Sequence, residues 1–263
     1  MIYILGGRGF VGSAYARLLS RLGVPHRVVT RDNYHDAAGS ACDILINANG
    51  NSRKYLAERE PLAEFDMSVR SVAESLQAFR AGAYVFLSSG DVYPDTSSAA
   101  ATREDQPIDK RRVNRYGLHK LLAETLVRSL HPNWLIVRMG GFVGPGLKKN
   151  AIFDMLTNQP IWLSPESQLQ FISTDRAAAL VWDLASRGVN GSVVNLGGRG
   201  LVRLGSLHER IGSAAPFKPA SPAVRYELDL NRLAALTSQT LPASAEEVEA
   251  FIAGWPAAGM GTS

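Results

Sequence analysis

The distribution of hydrophobic and polar residues predicts strands and helices that alternate along most of the chain. Short apolar runs bounded by polar residues or glycine are typical of buried strands. They predict strands at residues 2–5, 27–30, 43–47, 84–87, 134–138, 171–173, 192–196 and 224–228. Apolar residues that recur with the helical period predict helices at residues 11–22, 61–81, 114–129, 152–156, 175–186 and 245–253. Strands that alternate with helices indicate an α/β protein with a parallel sheet.

Glycines interrupt the chain directly after the first predicted strand, and a helical pattern begins behind them. Gly6, Gly9 and Gly12 are evenly spaced in the segment GGRGFVGS. A strand, a glycine turn and a helix start bring backbone N–H groups and the positive helix end to a pyrophosphate. The unit also has the length of a dinucleotide-binding βαβ unit. We therefore predict a Rossmann-type doubly wound parallel sheet, with these glycines and Phe10 at a dinucleotide. An ordinary glycine loop is the alternative for the glycines taken alone.

The third predicted strand follows the second after only a short polar stretch, so one strand-helix unit of this fold is missing. In the middle of the chain, the segment GGFVGPG concentrates glycine and proline, and the predicted elements become shorter. We predict a NAD(P)-binding domain at residues 1–145, completed by about residues 170–200. Residues 146–169 and 201–256 are expected to form a small C-terminal substrate-binding lobe, and residues 257–263 a disordered tail.

Composition and charge exclude several classes of partner. The net charge of +4 is spread along the chain, and only Arg111, Arg112 and Arg115 form a cluster, which argues against a nucleic-acid interface. A single cysteine, Cys42, excludes an internal disulfide, and five scattered histidines leave little material for a metal site. Neither a membrane-spanning apolar run nor a charged leader is visible in the sequence. We expect a cytoplasmic protein that binds a small anionic ligand and neither nucleic acid, membrane nor metal.

Two arginines indicate which dinucleotide is bound. Arg8 lies inside the glycine turn, and Arg31 directly follows the second strand, where NAD-selective sites prefer a carboxylate. Two guanidinium groups suit a 2′-phosphate, so we predict NADP rather than NAD. The alternative is that Asp32 binds the ribose hydroxyls and both arginines are solvated. Asn49 follows the third strand, at the edge where parallel sheets bind ligands, and is a further cofactor candidate.

Candidate reactive groups follow the fourth predicted strand. Ser89 and Asp91 come at its end, and Tyr116 and Lys120 share one face of a later helix because they are four residues apart. A neighbouring ammonium favours the phenolate and so brings the pKa of a tyrosine closer to the range that is useful for acid/base catalysis. A hydroxyl at Ser89 can bind a carbonyl or alcohol oxygen while the phenol moves a proton and a nicotinamide exchanges hydride. For the Tyr-Lys spacing alone, a surface tyrosine packed on a lysine stem is the alternative.

The chain resembles the short-chain dehydrogenase/reductase superfamily, in its extended branch of sugar epimerases, dehydratases and reductases. The segments that carry the resemblance are GGRGFVGS, FLSSGDVYP, YGLHK, VRMGGFVGPG, FISTDRAAA and VVNLGG, and they span nearly the whole chain. The glycine turn and the later TRD are most similar to those of the GDP-fucose synthase type, whose two corresponding arginines hold the 2′-phosphate of NADP.

The resemblance implies a role for each candidate residue. Tyr116 corresponds to the acid/base, and Lys120 to the residue that binds the nicotinamide ribose and lowers the tyrosine pKa. Ser89 corresponds to the residue that orients the substrate, and Asp91 to the position of a second acid/base. Branch members often dimerise through a four-helix bundle, so the resemblance also implies a homodimer. Its interface would use the helix predicted at 61–81 and the helix that carries Tyr116.

Three departures bear on the substrate. Gly141 and Leu169 stand where the branch usually has an Asn and an Arg that contact a nucleotide sugar. Gly90 stands where the 4,6-dehydratases have Asp, which argues against sugar dehydration. We expect an NAD(P)-dependent oxidoreductase or epimerase that acts on a sugar or nucleotide-sugar-like substrate through a Ser-Tyr-Lys triad. The alternative is a non-catalytic dinucleotide-sensing regulatory or scaffold protein on the same fold, although all three triad residues are intact.

Overall fold

A computed structural model describes residues 1–51 and 54–255. The strands are β1 (Ile2–Leu5), β2 (His26–Val29), β3 (Ala41–Asn47), β4 (Arg80–Ser89), β5 (Trp134–Met139), β6 (Gly141–Val143), β7 (Gln168–Leu169), β8 (Phe171–Ser173), β9 (Ser192–Leu196), β10 (Val202–Arg203) and β11 (Arg225–Tyr226). The helices are α1 (Gly12–Arg21), α2 (Tyr34–Ala37), α3 (Leu56–Arg59), α4 (Pro61–Phe65), α5 (Ser71–Ala78), α6 (Arg115–Leu130), α7 (Ala151–Leu156), α8 (Thr174–Ser186), α9 (Leu204–Arg210), α10 (Asn231–Leu236) and α11 (Ser244–Ala253). Short 3₁₀ turns occupy Arg31–Asn33, Gly90–Val92 and Ala99–Thr102, and a π-helical turn occupies Asp66–Arg70. None of the helices in the described ranges is long and apolar enough to cross a membrane.

Six parallel strands form the main sheet, in the order β2-β1-β3-β4-β5-β9. The chain leaves β1 towards β2 and then returns to place β3 on the other side of β1. This reversal creates a switch point between the carboxyl ends of β1 and β3, where doubly wound sheets bind ligands. Within the described residues no strand lies outside β2, in agreement with the missing strand-helix unit. The predicted Rossmann-type parallel sheet is therefore confirmed.

Helices cover both faces of the main sheet, and β1 illustrates why its strands are apolar throughout. Ile2 and Ile4 pack in one cluster with side chains of α1 and α8. Tyr3 and Leu5 point to the opposite face and pack with side chains of α5 and α6. Full burial of one such side chain stabilises the fold by about 1.5–3 kcal/mol. The hydrophobic run at the start of the chain is therefore the signature of a strand buried on both faces.

The helix predicted at residues 61–81 differs from the structure. It is divided by the π-helical turn into α4 and α5, and it ends at Ala78 rather than at residue 81. Arg80 and Ala81 instead pair with Ala41 and Cys42 at the start of β3. The apolar residues near the junction fit the period of a helix and of a strand alike, so the pattern alone could not fix the boundary.

The smaller C-terminal region is built on short strands. Predicted residues 171–173 form β8, which pairs with β6 instead of joining the main sheet. A second small sheet has the order β10-β7-β11. Side chains of α7, α9 and α11 bury these strands in a separate apolar cluster that includes Ile152, Phe171 and Leu204. The tail predicted at residues 257–263 lies outside the described residues.

A buried polar network ties α6 to the carboxyl half of the main sheet. Glu124 accepts two hydrogen bonds from Arg138, at 3.0 and 2.8 Å, and a third from Ser88 at 2.7 Å. Arg138 also donates to the phenol oxygen of Tyr93 at 2.9 Å, and that phenol donates to Asn195 at 2.9 Å. Each buried charge thus has a partner, as burial of charged groups requires. The network fixes the rotation of α6 relative to β4, β5 and β9.

Candidate active site

The turn that connects β1 to α1 has no space for a side chain at Gly6 or Gly12. The Gly9 N–H donates to the Gly6 carbonyl at 2.8 Å, and Gly6 has a φ of +72°, which favours glycine. A Cβ atom on Gly12 would lie 2.3 Å from the Gly6 oxygen, so α1 begins directly against the end of β1. Because this 10-residue helix points its N-terminus at the turn, the site fits the pyrophosphate of a dinucleotide.

The segment after β3 closes the other side of the switch point. A Cβ atom on Gly6 would lie 3.0 Å from the Cα atom of Asn49, whose N–H is bound by the side chain of Asn47 at 3.0 Å. The next residue, Gly50, lies so close to α6 that a Cβ atom there would be 3.1 Å from Nζ of Lys120. The ends of β1 and β3 and the middle of α6 therefore meet at one place.

A cavity of about 620 Å³ extends from this place to the C-terminal region. The residues predicted for the site that line it are Gly9, Phe10, Asn49, Ser89, Asp91, Tyr116 and Lys120. Gly6 and Gly12 form the turn behind its wall. The structure thus brings the predicted cofactor turn and the predicted reactive groups into one continuous space. Within the described residues, no group of histidine, cysteine or acidic side chains could hold a metal ion.

The turn after β4 presents two of the reactive groups. The hydroxyl of Ser89 donates to a carboxylate oxygen of Asp91 at 3.1 Å and accepts from the Asp91 N–H at 3.2 Å. The same carboxylate forms an ion pair with Lys54 at 2.5 Å. Because a Cβ atom on Gly117 would lie only 2.0 Å from the Asp91 carbonyl oxygen, the start of α6 packs directly on this turn. Tyr116 is held beside Ser89 for that reason.

Tyr116 is buried, and its phenol donates to the backbone oxygen of Asn51 at 3.0 Å. Burial raises its pKa above the usual range, and the charges of Asp91 and Glu64 raise it further, whereas a hydrogen bond with Ser89 lowers it. The lowering by Lys120 that the resemblance implies stays a prediction, and the pKa of Tyr116 is raised overall. The reason is that loss of solvent disfavours the phenolate more strongly than its neighbours stabilise it.

Lys120 lies one helical turn after Tyr116, on the same face of α6. Its ammonium is 5.8 Å from the centroid of the Tyr116 ring and 5.4 Å from that of Phe86. Burial lowers the pKa of Lys120 to about 8, and the charges of Glu64, Glu124 and Asp91 oppose this change. Such an ammonium is within range of deprotonation near neutral pH, and it can donate hydrogen bonds to a ligand that enters the cavity.

The two arginines predicted at the 2′-phosphate lie at the outer edge of the switch point. Arg8 approaches the carboxylate of Asp32 to 3.4 Å, and both side chains are largely exposed. Arg31 is exposed as well and makes no hydrogen bond or ion pair with any described residue. The neighbouring turn is held by the Asn33 side chain, which accepts from the Thr30 N–H at 2.8 Å. Cationic and acidic groups are thus both present where an adenosine ribose would lie.

Among the polar lining residues that were not predicted from the sequence are Lys54 and Tyr226. Lys54 follows shortly after the end of β3. Because ligands bind beyond the carboxyl ends of parallel strands, its place in the sequence could have indicated a residue of the site. Tyr226 comes from the C-terminal region, and nothing near it in the sequence marks it. A Cβ atom on Gly90 would lie 2.4 Å from the Tyr226 hydroxyl, which places that phenol directly over the turn after Ser89.

The structure also shows the surroundings of residues 141 and 169, at which the sequence departs from the usual pattern of the branch. A Cβ atom on Gly141 would lie 2.6 Å from the carbonyl oxygen of Gln170, so this backbone leaves no room for a side chain there. Leu169 is in strand β7 and contributes an apolar side chain to the wall of the cavity. The side chain of Gln170 itself is occupied by both backbone groups of Leu228, at 2.8 and 3.1 Å.

The parallel sheet and the glycine turn at its switch point define the class of protein, an α/β protein with a Rossmann-type fold. A sequence model of the NAD dependent epimerase/dehydratase family matches residues 2–197, and the chain belongs to this family.

The chain is similar in sequence or structure to several enzymes whose names refer to nucleotide sugars. GDP-6-deoxy-D-mannose reductase of Pseudomonas aeruginosa is 28% identical over 175 residues, which cover 60% of this chain and 57% of that protein. The structure of RMD from Pseudomonas aeruginosa complexed with NADPH superposes with a TM-score of 0.80, at 20% identity, and covers 97% of this chain and 99% of that one. UDP-glucuronic acid 4-epimerase from Bacillus cereus, in complex with UDP-glucuronic acid and NAD, gives a TM-score of 0.78 at 18% identity, with 95% and 97% covered. These structural similarities establish the shared fold.

The lowered pKa of Lys120 leads to a prediction about stability. Between pH 8 and 10.5 the unfolded chain binds a proton on Lys120 that the folded chain does not, so wild-type stability rises with pH in this window. Relative to Lys120→Met, the free energy of unfolding of the wild type is expected to increase by about 2–3 kcal/mol from pH 7 to pH 10. Urea titrations across this range measure it.

Lys218→Met provides the control for this measurement, because it removes an exposed lysine. Its free energy of unfolding relative to the wild type is expected to show no such trend. A constant difference between the wild type and Lys120→Met over the same range would contradict a lowered pKa of Lys120 in the folded chain.

Proposed function

We propose that the chain is an NADP-dependent oxidoreductase or epimerase that transfers hydride at a carbonyl or alcohol carbon of a sugar or nucleotide-sugar-like substrate. The proposal rests on the convergence of Ser89, Tyr116 and Lys120 on a cavity that continues to the glycine turn. Residues from three separate elements meet there, although more than 25 positions separate Ser89 from Tyr116 in the sequence. A site assembled in this way fits a reaction better than a binding role alone.

Different residues of the chain would have different roles in this reaction. A bound nicotinamide cofactor would supply or accept the hydride. The glycine turn and the N-terminus of α1 would hold its pyrophosphate, and Lys120 would donate hydrogen bonds to its nicotinamide ribose. Tyr116, which is protonated at neutral pH, would give its proton to the oxygen of a substrate carbonyl, or take one from an alcohol in the reverse direction. The substrate oxygen would replace Asn51 as the acceptor of the Tyr116 hydrogen bond.

Asp91 remains a candidate for the second acid/base. Its carboxylate is held by Lys54 and by Ser89, so in this arrangement it is a hydrogen-bond acceptor with no proton to give. A carboxylate in this position can accept a proton from a carbon or hydroxyl beside the reacting centre. Epimerisation through such a base would leave the cofactor unchanged overall, whereas reduction consumes it, and NADPH absorbance with candidate ketoses separates the two.

The substrate and cofactor classes are supported by different observations. Relatives of the same fold include one protein complexed with NADPH and one complexed with UDP-glucuronic acid and NAD. The two exposed arginines beside the glycine turn favour NADP for this chain. For the substrate, the support comes from membership of the family and from a cavity that combines polar groups at one end with apolar residues such as Phe142 and Leu169 at the other.

Removal of the Tyr116 hydroxyl tests the proposed reaction. Tyr116→Phe is expected to lower kcat by about 10²–10⁴-fold, because the proton donor is lost while the ring is kept. The measurement is NADPH oxidation, or product formation, with a panel of sugar and nucleotide-sugar carbonyl substrates. Tyr55→Phe is the matched control, since Tyr55 is exposed on the surface. Unchanged turnover in Tyr116→Phe would exclude this mechanism, and absence of turnover in the wild type would favour a non-catalytic dinucleotide sensor.

Arg31 tests the choice of cofactor. Arg31→Ala is expected to raise the Kd for NADP about tenfold or more, because a hydrogen bond to a charged group contributes about 1.5–3 kcal/mol. The Kd for NAD is expected to change little. Fluorescence titration with both dinucleotides measures the two values, and Arg21→Ala, at an exposed position of α1, is the control. Equal losses for NADP and NAD would show that Arg31 does not contact a 2′-phosphate.

We also propose a homodimer that buries α4 and α6. Leu62, Phe65 and Leu122 are exposed on these helices, with 81%, 37% and 39% of their surfaces accessible. Leu62→Glu together with Leu122→Glu is expected to convert a dimer to a monomer, because two charges would be buried in an apolar interface. Light scattering coupled to gel filtration measures the mass. Trp162→Glu, at an exposed apolar residue of the C-terminal region, is expected to leave the mass unchanged. A wild-type monomer at micromolar concentration would refute the proposal.

A further inference from the structure

Lys54 brings a positive charge to the reactive side chains of the cavity. Its ammonium forms an ion pair with Asp91 at 2.5 Å and lies 5.8 Å from the centroid of the Tyr226 ring. The side chain of Lys54 is 59% exposed, whereas that of Asp91 is only 10% exposed, and both residues line the cavity. A pair in which one partner is so accessible to solvent adds little to the stability of a fold. Its ammonium is, however, open to a ligand that enters the cavity.

The segment that carries Lys54 is attached to the start of α6. The Lys54 carbonyl accepts a hydrogen bond from the Ala57 N–H at 3.1 Å, in the turn that leads into α3. Arg115 in turn donates to the Ala57 carbonyl at 3.1 Å and forms an ion pair with Glu58 at 3.4 Å. Because Arg115 directly precedes Tyr116, Lys54 and the proposed proton donor are held to the same end of the helix.

Two oxygen atoms beside Lys54 are spaced like the oxygens of a polyhydroxylated ligand. Oγ of Ser89 lies 3.1 Å from Oδ2 of Asp91, and the ammonium of Lys54 contacts the same carboxylate oxygen. Oxygens on neighbouring carbon atoms of a diol are also separated by about the length of a hydrogen bond. A ligand whose reacting oxygen contacts Ser89 therefore has the oxygen of its neighbouring carbon within reach of Asp91 and Lys54.

A carboxylate and an ammonium together match a hydroxyl group. A hydroxyl has one proton to donate and lone pairs with which to accept. A carboxylate can accept about four hydrogen bonds and an ammonium can donate about three, so the contacts of Asp91 with Ser89 and Lys54 leave capacity on both groups. A hydroxyl between them would donate to Asp91 and accept from Lys54. A hydrogen atom or a methyl group in its place would satisfy neither.

We propose that Lys54 is a substrate-binding residue, which forms with Asp91 a donor–acceptor pair for a hydroxyl group on the carbon next to the reacting centre. The inference rests on the proposed hydride-transfer function and narrows its substrates to α-hydroxy carbonyl compounds and the corresponding vicinal diols. Ser89 and Tyr116 would hold the reacting oxygen, and Asp91 and Lys54 the neighbouring one. A site built to bind a hydroxyl discriminates strongly against an analogue that lacks it, because the polar groups of the site then lose their partner.

The binding of two small probes tests the pair without turnover. The probes cis-1,2-cyclohexanediol and cyclohexanol differ by one hydroxyl group, and ligand-observed NMR titration in the presence of NADPH measures the Kd of each. In the wild type the Kd of the diol is expected to be lower by about tenfold or more, because the additional hydroxyl bonds to charged groups. Lys54→Met is expected to remove this preference, and Lys54→Arg to retain part of it.

Lys110→Met is the matched control, because it removes an exposed lysine from the loop before α6. It is expected to keep the preference for the diol. A wild type that binds both probes equally would overturn the proposal. An equal loss of affinity for both probes in Lys54→Met would overturn it as well, because the lysine would then support the shape of the site rather than recognise a hydroxyl.

Turnover separates this inference from the proposed function. With an α-hydroxy carbonyl substrate from the sugar panel, Lys54→Met is expected to raise KM about tenfold or more and to change kcat little, since the neighbouring hydroxyl is bound in the ground state and the transition state alike. A lower kcat at an unchanged KM would contradict this role of Lys54. If the wild type turns over no substrate, the proposed function fails, whereas the preference for the diol still tests the donor–acceptor pair.

Discussion

The buried ion pair between Glu124 and Arg138 is the constraint on which the arrangement of the candidate site depends. Glu124 lies one helical turn after Lys120, which lies one turn after Tyr116, so all three share a face of α6. Because the carboxylate must meet a guanidinium fixed in β5, the helix cannot rotate without leaving a charge buried alone. The pair contributes little net stability when its desolvation is counted, but it selects one orientation of the helix. The phenol and the ammonium are presented to the cavity as a result.

The parts of the site that could be predicted from the sequence are those in which local chemistry and a regular element coincide. Tyr116 and Lys120 share a face because a helix repeats every 3.6 residues, and the glycine turn follows its strand directly. The role of Gly90 could not be predicted, since the residue that fills its space is more than 130 positions away. Tyr226 was found only in the structure, in which the small sheet places its hydroxyl over Gly90. Long-range packing, which carries no periodic signal, decided what the pattern left open.

Burial also changed the electrostatic expectation. A spacing of four residues correctly places an ammonium beside a phenol, but it does not reveal how much water either group retains. In the folded chain, desolvation disfavours both charged forms, so the pKa of Tyr116 is raised and that of Lys120 is lowered. At neutral pH a neutral phenol therefore lies beside an ammonium that is close to deprotonation. The boundary of the helix predicted at residues 61–81 also depends on a contact that is distant in the sequence. It is set by the pairing of β4 with β3 and not by helix propensity.

The missing strand-helix unit leaves the main sheet with an unusual pair of edges. On one side, α10 lies along β9, and Arg232 donates to the backbone oxygen of Val193 at 3.1 Å, which occupies an acceptor of that edge. On the other side, β2 is the outermost described strand, yet it has only four residues and begins with His26 and Arg27. Short strands with charged side chains resist pairing with strands of other molecules. Lateral growth of the sheet between molecules is thereby disfavoured at both borders, which directs any self-association to the helical faces.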